Sequence, residues 1–410
     1  MTANYRGRDL PLYLCTRVFT TIAVMVQSVA VGWQVYDLER TPLALGWVGL
    51  AEFAPMFALT LPAGEVVDRS DPRRVLALSL LLEAACAGAL LALTFMHGHG
   101  AWPFYLVLLL FGCARGFSGP AGQALAPFLV PPQLLPRTIA WSATAYQLAV
   151  IAGPAVGGVL YAFGPAVPYG VCLVGFGASA LITVGLGGRR RAAHDGSAGG
   201  GESRLARVKE GIAFVRSRPV VLGAISLDLF AVLLGGATAL LPVYARDILR
   251  VGPAGLGALR SAPAVGASLI AVYLTWRPIY RRTGSIMFAA VALFGAATIV
   301  FGLSRSVWIS GGALILLGAS DQISVFVRHN LIQLSTPDAM RGRVSAVNML
   351  FIGASNQLGE FESVLTAAWF GTVPAVVVGG IGTLLVVGAW MRLFPALRTV
   401  DRLDSVMPGR

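Results

Sequence analysis

Charged side chains are scarce in this sequence. They make up 12% of its 410 residues, and Lys209 is the single lysine. An ATP-driven pump needs a glycine-rich loop that ends in Lys-Ser or Lys-Thr, whereas Lys209 is followed by Glu and no such loop precedes it. The sequence therefore argues against ATP hydrolysis by this chain.

Cysteine and histidine are also rare, with four residues of each. The cysteines fall inside apolar runs and lack the paired spacing that a zinc site or a disulfide framework needs. We expect them to be small packing residues. The histidines are scattered, so the sequence predicts no metal site and offers no convergent set of residues for a membrane enzyme.

Apolar residues dominate the chain instead. They make up 56% of it, the mean hydropathy is +0.74, and they form continuous runs of 20 to 28 residues. Such runs can cross a hydrocarbon core of about 30 Å, and their lack of alternation favours helices over barrel strands. We predict an all-α membrane protein of twelve transmembrane helices in two pseudo-symmetric six-helix bundles. The predicted spans are 10–37, 43–67, 74–96, 102–130, 135–163, 166–187, 219–246, 253–276, 284–303, 307–334, 343–370 and 373–394.

The net charge of +12 reports topology rather than a nucleic-acid partner. With the N-terminus in the cytoplasm, 23 of the 31 basic residues fall in cytoplasmic segments. Four fall outside, at Arg40, Arg246, Arg250 and Arg305, and four lie within spans. This positive-inside bias predicts a multi-pass protein of a bacterial inner membrane with both termini in the cytoplasm.

One long polar segment divides the spans six from six. We predict an N-terminal bundle at 1–188, a cytoplasmic linker at 189–218, a C-terminal bundle at 219–395 and a cytoplasmic tail at 396–410. The linker combines a flexible glycine-serine stretch with a basic stretch. The part from Ser203 to Arg216 has the apolar spacing of an amphipathic helix at the membrane surface.

The two predicted bundles carry an internal repeat at an offset of 208 residues. Ten of forty ungapped positions from Val35 to Arg74 are identical to those from Val243 to Arg282. The matches include Pro55 with Pro263 and three clustered arginines. A membrane chain built from two related halves is typical of a secondary transporter.

The most informative motif is the charged loop GEVVDRSDPRR, from Gly64 to Arg74, which follows the second span. With the two halves and the central basic loop, it resembles the major facilitator superfamily, whose loop pattern is matched here by Gly64, Asp68, Arg69, Arg73 and Arg74. The sequence departs from that pattern at Val66, Asp71 and Pro72. The resemblance implies alternating access in which Asp68 binds the positive N-terminal end of span eleven, whereas the positive-inside bias alone accounts for the arginines.

Two further stretches narrow the resemblance. The stretch TPDAMRGRVSAVNMLFIGASNQLGEFES, Thr336 to Ser363, is typical of the branch that contains the enterobactin exporter and related drug efflux proteins. Span five resembles the glycine-rich pattern of proton-coupled exporters, although Ala149 replaces its leading glycine. The matching residues are Gly153, Pro154, Gly157 and Gly158. The alternative for this stretch is ordinary packing of small residues.

Ionisable residues inside spans are costly and are therefore functional candidates. In the fold that the resemblance implies, spans one, four, seven and ten line a central cavity. The cavity-charge candidates are Arg17, Arg115, Arg260 and Arg328, and the proton-coupling candidates are Asp228, Asp321, Glu360, Glu362 and Glu52. Asp228 and Asp321 come first, with Arg115 as the expected partner, because moving an arginine to or from a buried acid can switch its proton. A fixed structural ion pair is the alternative for each, and Glu83, on a peripheral helix, is expected to be structural.

Polar residues inside spans are candidates for cargo binding or for hydrogen bonds between helices. They are Gln27, Tyr146, Asn348, Asn356 and Gln357. We predict a monomeric secondary transporter that exports amphipathic or hydrophobic small molecules, drug-like or siderophore-like, using a proton gradient and no bound cofactor. The alternatives are a lipid or lysolipid flippase of the same fold and a membrane receptor or scaffold that does not transport.

Overall fold

The computed structural model describes residues 8–96, 100–187 and 204–401. Parts of the predicted linker and tail lie outside the described residues. The described chain contains fifteen α-helices, which are numbered here in chain order. They are α1 (Asp9–Glu39), α2 (Pro42–Arg69), α3 (Pro72–Phe95), α4 (Trp102–Leu129), α5 (Leu135–Ala162), α6 (Ala166–Gly185), α7 (Arg204–Ser217), α8 (Pro219–Leu234), α9 (Leu241–Val243), α10 (Gly252–Trp276), α11 (Thr283–Leu303), α12 (Val307–Ser335), α13 (Asp338–Phe370), α14 (Thr372–Leu393) and α15 (Pro395–Arg398).

Eleven segments of the described chain are long and apolar enough to cross a membrane. The remaining predicted span, 343–370, is present as the 33-residue helix α13. This helix is less apolar because it carries two arginines near its start and two glutamates near its end. The all-α membrane fold is thus confirmed, and twelve long helices are consistent with it.

The predicted span 219–246 is interrupted rather than continuous. Helix α8 ends before Gly235 and Gly236, and a 3-10 turn, α9 and a π-helical turn at Tyr244–Ile248 follow. A Cβ on Gly236 would lie 2.3 Å from the carbonyl oxygen of Gly359 on α13. Glycine therefore allows the backbones of the two segments to meet where the helix breaks.

The described residues form two compact units. Unit 1 comprises α1 to α6 together with residues 242–261, and unit 2 comprises residues 204–241 and 262–401. The predicted division at the linker differs from these units in the segment 242–261, which packs against α1 and α5. Unit 1 has an apolar core that includes Phe111 and Phe176, whose rings meet edge to face at 6.0 Å.

Helices pack in the same order within each unit. In unit 1, α1 packs on α5 and α6, and α3 packs on α4 and α6. In unit 2, α8 packs on α13 and α14, and α11 packs on α12 and α14. A Cβ on Gly112 of α4 would lie 2.8 Å from the ring of Pro55, and one on Gly318 of α12 would lie 1.9 Å from the carbonyl oxygen of Pro263. The two prolines that match in the sequence repeat therefore meet equivalent helices.

Helix α7 lies where the linker predicts an amphipathic helix. Its Val215 is buried, and Ile212 packs with it against Val344 and Val347 of α13. A Cβ on Gly211 would lie 2.9 Å from the backbone of α13, so the two helices are in close contact. Ile212, Phe214 and Val215 of α7 thus pack on protein, and this helix belongs to unit 2.

Candidate transport cavity and its charged groups

Unit 1 contains a cavity of about 740 Å³ between α1, α4 and α5. Pockets that hold drug-sized molecules have volumes of this order. Apolar side chains such as Met25 and Ile139 share the wall with hydroxyl and amide groups, so the surface is amphipathic. The polar uncharged lining residues are Tyr13, Thr16, Thr20, Thr21, Ser118, Gln123, Ser142, Tyr146 and Gln147. Tyr146, a candidate for cargo binding or for hydrogen bonds between helices, lines this cavity.

Two arginines, Arg17 of α1 and Arg115 of α4, line the same cavity. Arg17 reaches towards α4, since a Cβ on Gly122 would lie 3.2 Å from its Nη1. The Nε atoms of both arginines are buried and have no hydrogen-bond partner among the described residues. The two predicted cavity charges of the N-terminal half therefore face one cavity.

Glu83 of α3 lies directly behind the cavity wall. Its side chain is fully buried, and its Oε1 accepts a 2.6 Å hydrogen bond from Ser118 Oγ. Electrostatic interactions connect Arg115 with both Glu83 and Glu52. The sequence analysis predicted a structural role for Glu83 and did not identify its connection to the cavity through Ser118. The signal in the sequence was the carboxylate itself, which is costly inside a span unless it has a polar partner.

A network at one end of unit 1, here called the outer latch, joins α1 to the π-helical turn that follows α9. Tyr36 donates a hydrogen bond to Asp247, and Arg246 forms a salt bridge with Asp37. The Arg246 guanidinium also lies over the ring of Trp33, 5.3 Å from its centroid. The charge bias of the sequence predicts that this end faces the outside, and Asp37 provides the counter-ion of Arg246. Single π-helical turns occur frequently at functional sites.

Arg260, further along α10, connects this helix to α1 by a hydrogen bond. Its Nη2 donates a 2.8 Å hydrogen bond to Ser28 Oγ, and it interacts electrostatically with Glu52. Glu52 and Arg260 occupy equivalent positions of the sequence repeat with opposite charges. The structure brings these two predicted candidates together in unit 1 and adds Ser28, which the sequence analysis did not identify.

Two glycines of the exporter-like motif are contact points between α5 and α1. A Cβ on Gly153 would lie 2.5 Å from the Cβ of Met25, and one on Gly157 would lie 2.9 Å from the Cα of Val26. Both distances are too short for a larger side chain, so these glycines set the spacing of the helices.

Gly158 of the same motif meets α10. A Cβ on Gly158 would lie 2.3 Å from the carbonyl oxygen of Pro253, and one on Gly257 would lie 2.3 Å from the carbonyl oxygen of Pro154. The two glycines thus form a reciprocal close crossing of α5 and α10. Close crossing of small residues is the usual way in which membrane helices approach each other.

Unit 2 contains a cluster of two carboxylates and one arginine, of which Asp228 and Arg328 are buried. Asp228 of α8 forms a salt bridge with Arg328 of α12, and their side chains are 6% and 4% exposed. Asp321, seven residues before Arg328, lines a small pocket together with Asp228 and Ser324 and interacts electrostatically with both charged residues. The sequence analysis expected Arg115 as the partner of these acids. For Asp228 that expectation is wrong, because α8 packs on α12 and Arg328 faces it directly.

The charged motif from Gly64 to Arg74, predicted as a loop, spans the end of α2 and the start of α3 and makes specific contacts within unit 1. Asp68 lies in the exposed last turn of α2. Asp71 caps the N-terminus of α3 by accepting a 3.0 Å hydrogen bond from the backbone N of Arg73. Arg73 Nη1 also donates a 2.8 Å hydrogen bond to the carbonyl oxygen of Leu186, after α6. Arg73 therefore connects two helix ends, which the charge bias alone did not predict.

The repeat of this loop makes an equivalent contact in unit 2. Arg281, which corresponds to Arg73, lies 3.7 Å from Asp401 Oδ2, and Asp401 Oδ1 accepts a 3.0 Å hydrogen bond from the backbone N of Arg282. Asp401 follows α15 in the chain. In each unit, an arginine of this loop thus binds the segment that follows the last long helix of that unit.

The other predicted residues lie on α1 and α13. Gln27 is buried on α1, and its side-chain amide has no hydrogen-bond partner among the described residues. Glu362 accepts a 2.8 Å hydrogen bond from Thr366 one turn later. The remaining candidates on α13 are Asn348, Asn356, Gln357 and Glu360.

Comparison with known proteins agrees with this architecture. The family model described as Major Facilitator Superfamily matches residues 13–360. The chain is 27% identical over 368 residues to the multidrug efflux pump Tap of Mycolicibacterium fortuitum, covering 88% of this chain and 89% of that protein. It is 24% identical over 375 residues to the enterobactin exporter EntS of Shigella boydii serotype 18, covering 90% and 84%.

Solved structures share the fold at low sequence identity. A bacterial homolog of the human lysosomal transporter Spinster, in an inward-facing and occupied conformation, matches with a TM-score of 0.69 at 13% identity and 97% coverage of each chain. A peptide transporter, POT, matches with a TM-score of 0.72 at 13% identity and 96% coverage of each chain.

The predicted resemblance to the efflux branch is confirmed by these relatives. Together with the apolar helices, they identify a multi-pass protein of a bacterial inner membrane that carries small molecules and is not an enzyme. With its family match extending from the first helix into α13, the chain belongs to the major facilitator superfamily.

Proposed function

We propose that this chain exports amphipathic small molecules in exchange for protons, as a monomer with both termini in the cytoplasm and without a bound cofactor. The observation that carries the proposal is the amphipathic cavity of about 740 Å³ in unit 1. Its volume suits a drug-sized molecule, and its wall offers apolar, hydroxyl and charged groups to one ligand. Relatives named as an efflux pump and an exporter support the direction of transport.

The contacts of segment 242–261 support alternating access. In the proposed cycle, the outer latch and the crossing of Gly158 with Gly257 hold this segment against α1 and α5 while the outer side is closed. Opening to the outside would separate this segment from α1 and α5, so the contacts between them must be few and reversible. Hydrogen bonds, one salt bridge and a close glycine crossing meet that requirement.

The cluster in unit 2 supports proton coupling. Arg328 neutralises one carboxylate, Asp228, whereas Asp321 has no salt bridge among the described residues. A second ionised carboxylate in a low-dielectric interior is costly, so binding of a proton relieves the excess negative charge. We therefore assign Asp321 as the group that takes up and releases the coupled proton.

The test is flux of a small cargo panel in proteoliposomes under an imposed pH gradient. Wild-type flux should follow the gradient, and Asp321→Asn should transport down a cargo gradient without responding to the pH gradient. Asp401→Asn is the matched control, since it removes an exposed carboxylate of the same unit. Full coupling in Asp321→Asn would remove that residue from the proton path, and wild-type flux that ignores the gradient would exclude antiport.

A further inference from the structure

Arg17 is a cation without a counter-ion in the wall of the cavity. It takes part in no salt bridge or side-chain hydrogen bond among the described residues, and its Nε is buried. Its guanidinium lies against Gly122, where the absence of a side chain leaves room beside it. Arg17 is partly buried, and a partly buried charge that no protein group compensates is costly to maintain. A ligand of opposite charge would offset that cost.

Arg115 adds a second positive charge to the same wall. Glu83 and Glu52 offset part of this charge from behind it. The described lining of the cavity contains these two arginines and no aspartate or glutamate. The surface that a ligand meets is therefore positive, and Arg17 is its least compensated group.

The other residues of the cavity wall indicate which further chemical groups the ligand must have. Apolar side chains from α1, α3 and α5 line the same cavity as Arg17, among them Met25, Leu76 and Ile139. Arginine presents several N–H donors in a planar fork, which matches the oxygens of a carboxylate, sulfonate or phosphate. An apolar body that carries one such group complements both parts of the wall.

We infer that the cargo class is an amphipathic anion whose acidic group binds Arg17, with Arg115 as a second contact. The inference rests on the proposed function and narrows it from amphipathic molecules in general to anionic ones. It predicts that the cavity discriminates between two molecules of the same apolar shape that differ in one negative charge.

The matched probes are 8-anilinonaphthalene-1-sulfonate, an anion, and N-phenyl-1-naphthylamine, which has the same aromatic scaffold without the sulfonate. Flux of each is measured in proteoliposomes with a pH gradient and corrected with protein-free liposomes. We expect the anion to be transported several-fold faster than the neutral probe. Arg17→Gln should remove most of that preference, because one charge-assisted hydrogen bond contributes roughly ten-fold in affinity.

Two variants control for charge and for folding. Arg17→Lys keeps the positive charge and should retain most of the preference. Arg137→Gln removes an exposed arginine of α5 that lines a different groove, and it should leave the ratio unchanged. If Arg17→Gln does not fold, the wild-type preference for the anion and its reduction in Arg115→Gln decide the question.

The outcomes separate this inference from the proposed function. Equal or faster flux of the neutral probe in the wild type would overturn the inference while leaving gradient-driven export intact. A preference for the anion that survives Arg17→Gln would also overturn it. Absence of gradient-dependent flux for both probes would contradict the proposed function itself.

Discussion

Replacing Arg328 with methionine would leave the buried carboxylate of Asp228, in unit 2, without its cation. Arg328 and Asp228 are 4% and 6% exposed, so water cannot replace the lost partner. Breaking a buried pair by removing one member typically costs about 3–5 kcal/mol. We expect Arg328→Met to lower the free energy of unfolding by about this amount.

The chain offers an exposed pair as the control. Arg281 and Asp401 are 80% and 51% exposed, and solvent-exposed pairs contribute about 0–1 kcal/mol. Arg281→Met should therefore change the free energy of unfolding far less than Arg328→Met. Both substitutions remove one arginine from unit 2, and the two sites differ chiefly in burial.

The assay is reversible unfolding in mixed detergent micelles, completed as a double-mutant cycle with Asp228→Asn. Combining Arg328→Met with Asp228→Asn should cost less than the sum of the single changes, by about 0.5–3 kcal/mol. Equal effects of Arg328→Met and Arg281→Met would refute the reasoning. So would strict additivity of the two changes in the buried pair.

Three further predictions concern unit 1 and its loop. Gly158→Ala should destabilise the protein by about 1–3 kcal/mol, because the new Cβ would lie 2.3 Å from a backbone oxygen. Gly170→Ala should be tolerated, since no atom lies within 4 Å of its Cβ position. Thermal unfolding compares the two variants, and equal melting temperatures would contradict the close crossing. Asp247→Asn weakens the outer latch, so a cysteine introduced at Ser28 should be labelled faster from the outside; an unchanged labelling rate would count against the latch. Asp68→Asn should impair transport at normal expression, and unchanged transport would exclude the gating role that the family resemblance implies.

Sequence patterns predicted the helices of unit 1 well because proline and charge mark their starts. The predicted starts at 43 and 74 are one and two residues from Pro42 and Pro72, the first residues of α2 and α3. Proline is favourable in the first turn of a helix because no backbone donor is needed there. The repeat also has a structural counterpart, since Pro55 and Pro263 meet equivalent helices. Local chemistry and long apolar runs are therefore sufficient to place most spans.

The partners of buried charges were harder to predict because span hydropathy does not show which helix faces meet. Asp228 and Asp321 were identified as candidates, yet the partner of Asp228 lies on α12, one hundred residues away. Glu83 was predicted to be structural because it lies on a peripheral helix. Ser118, which connects it to the cavity, has no distinctive signal in a sequence of this composition. The break in span seven was missed for a similar reason, since a Gly-Gly pair is not unusual among 49 glycines.

The most direct test of proton-coupled export is to measure proton movement that is driven by cargo alone. Proteoliposomes without a pH gradient would enclose a pH-sensitive dye, and a cargo gradient would be imposed across the membrane. Antiport predicts that protons move opposite to the cargo, and that this movement is lost in Asp321→Asn while cargo still equilibrates. Cargo flux without any proton movement in the wild type would contradict the account.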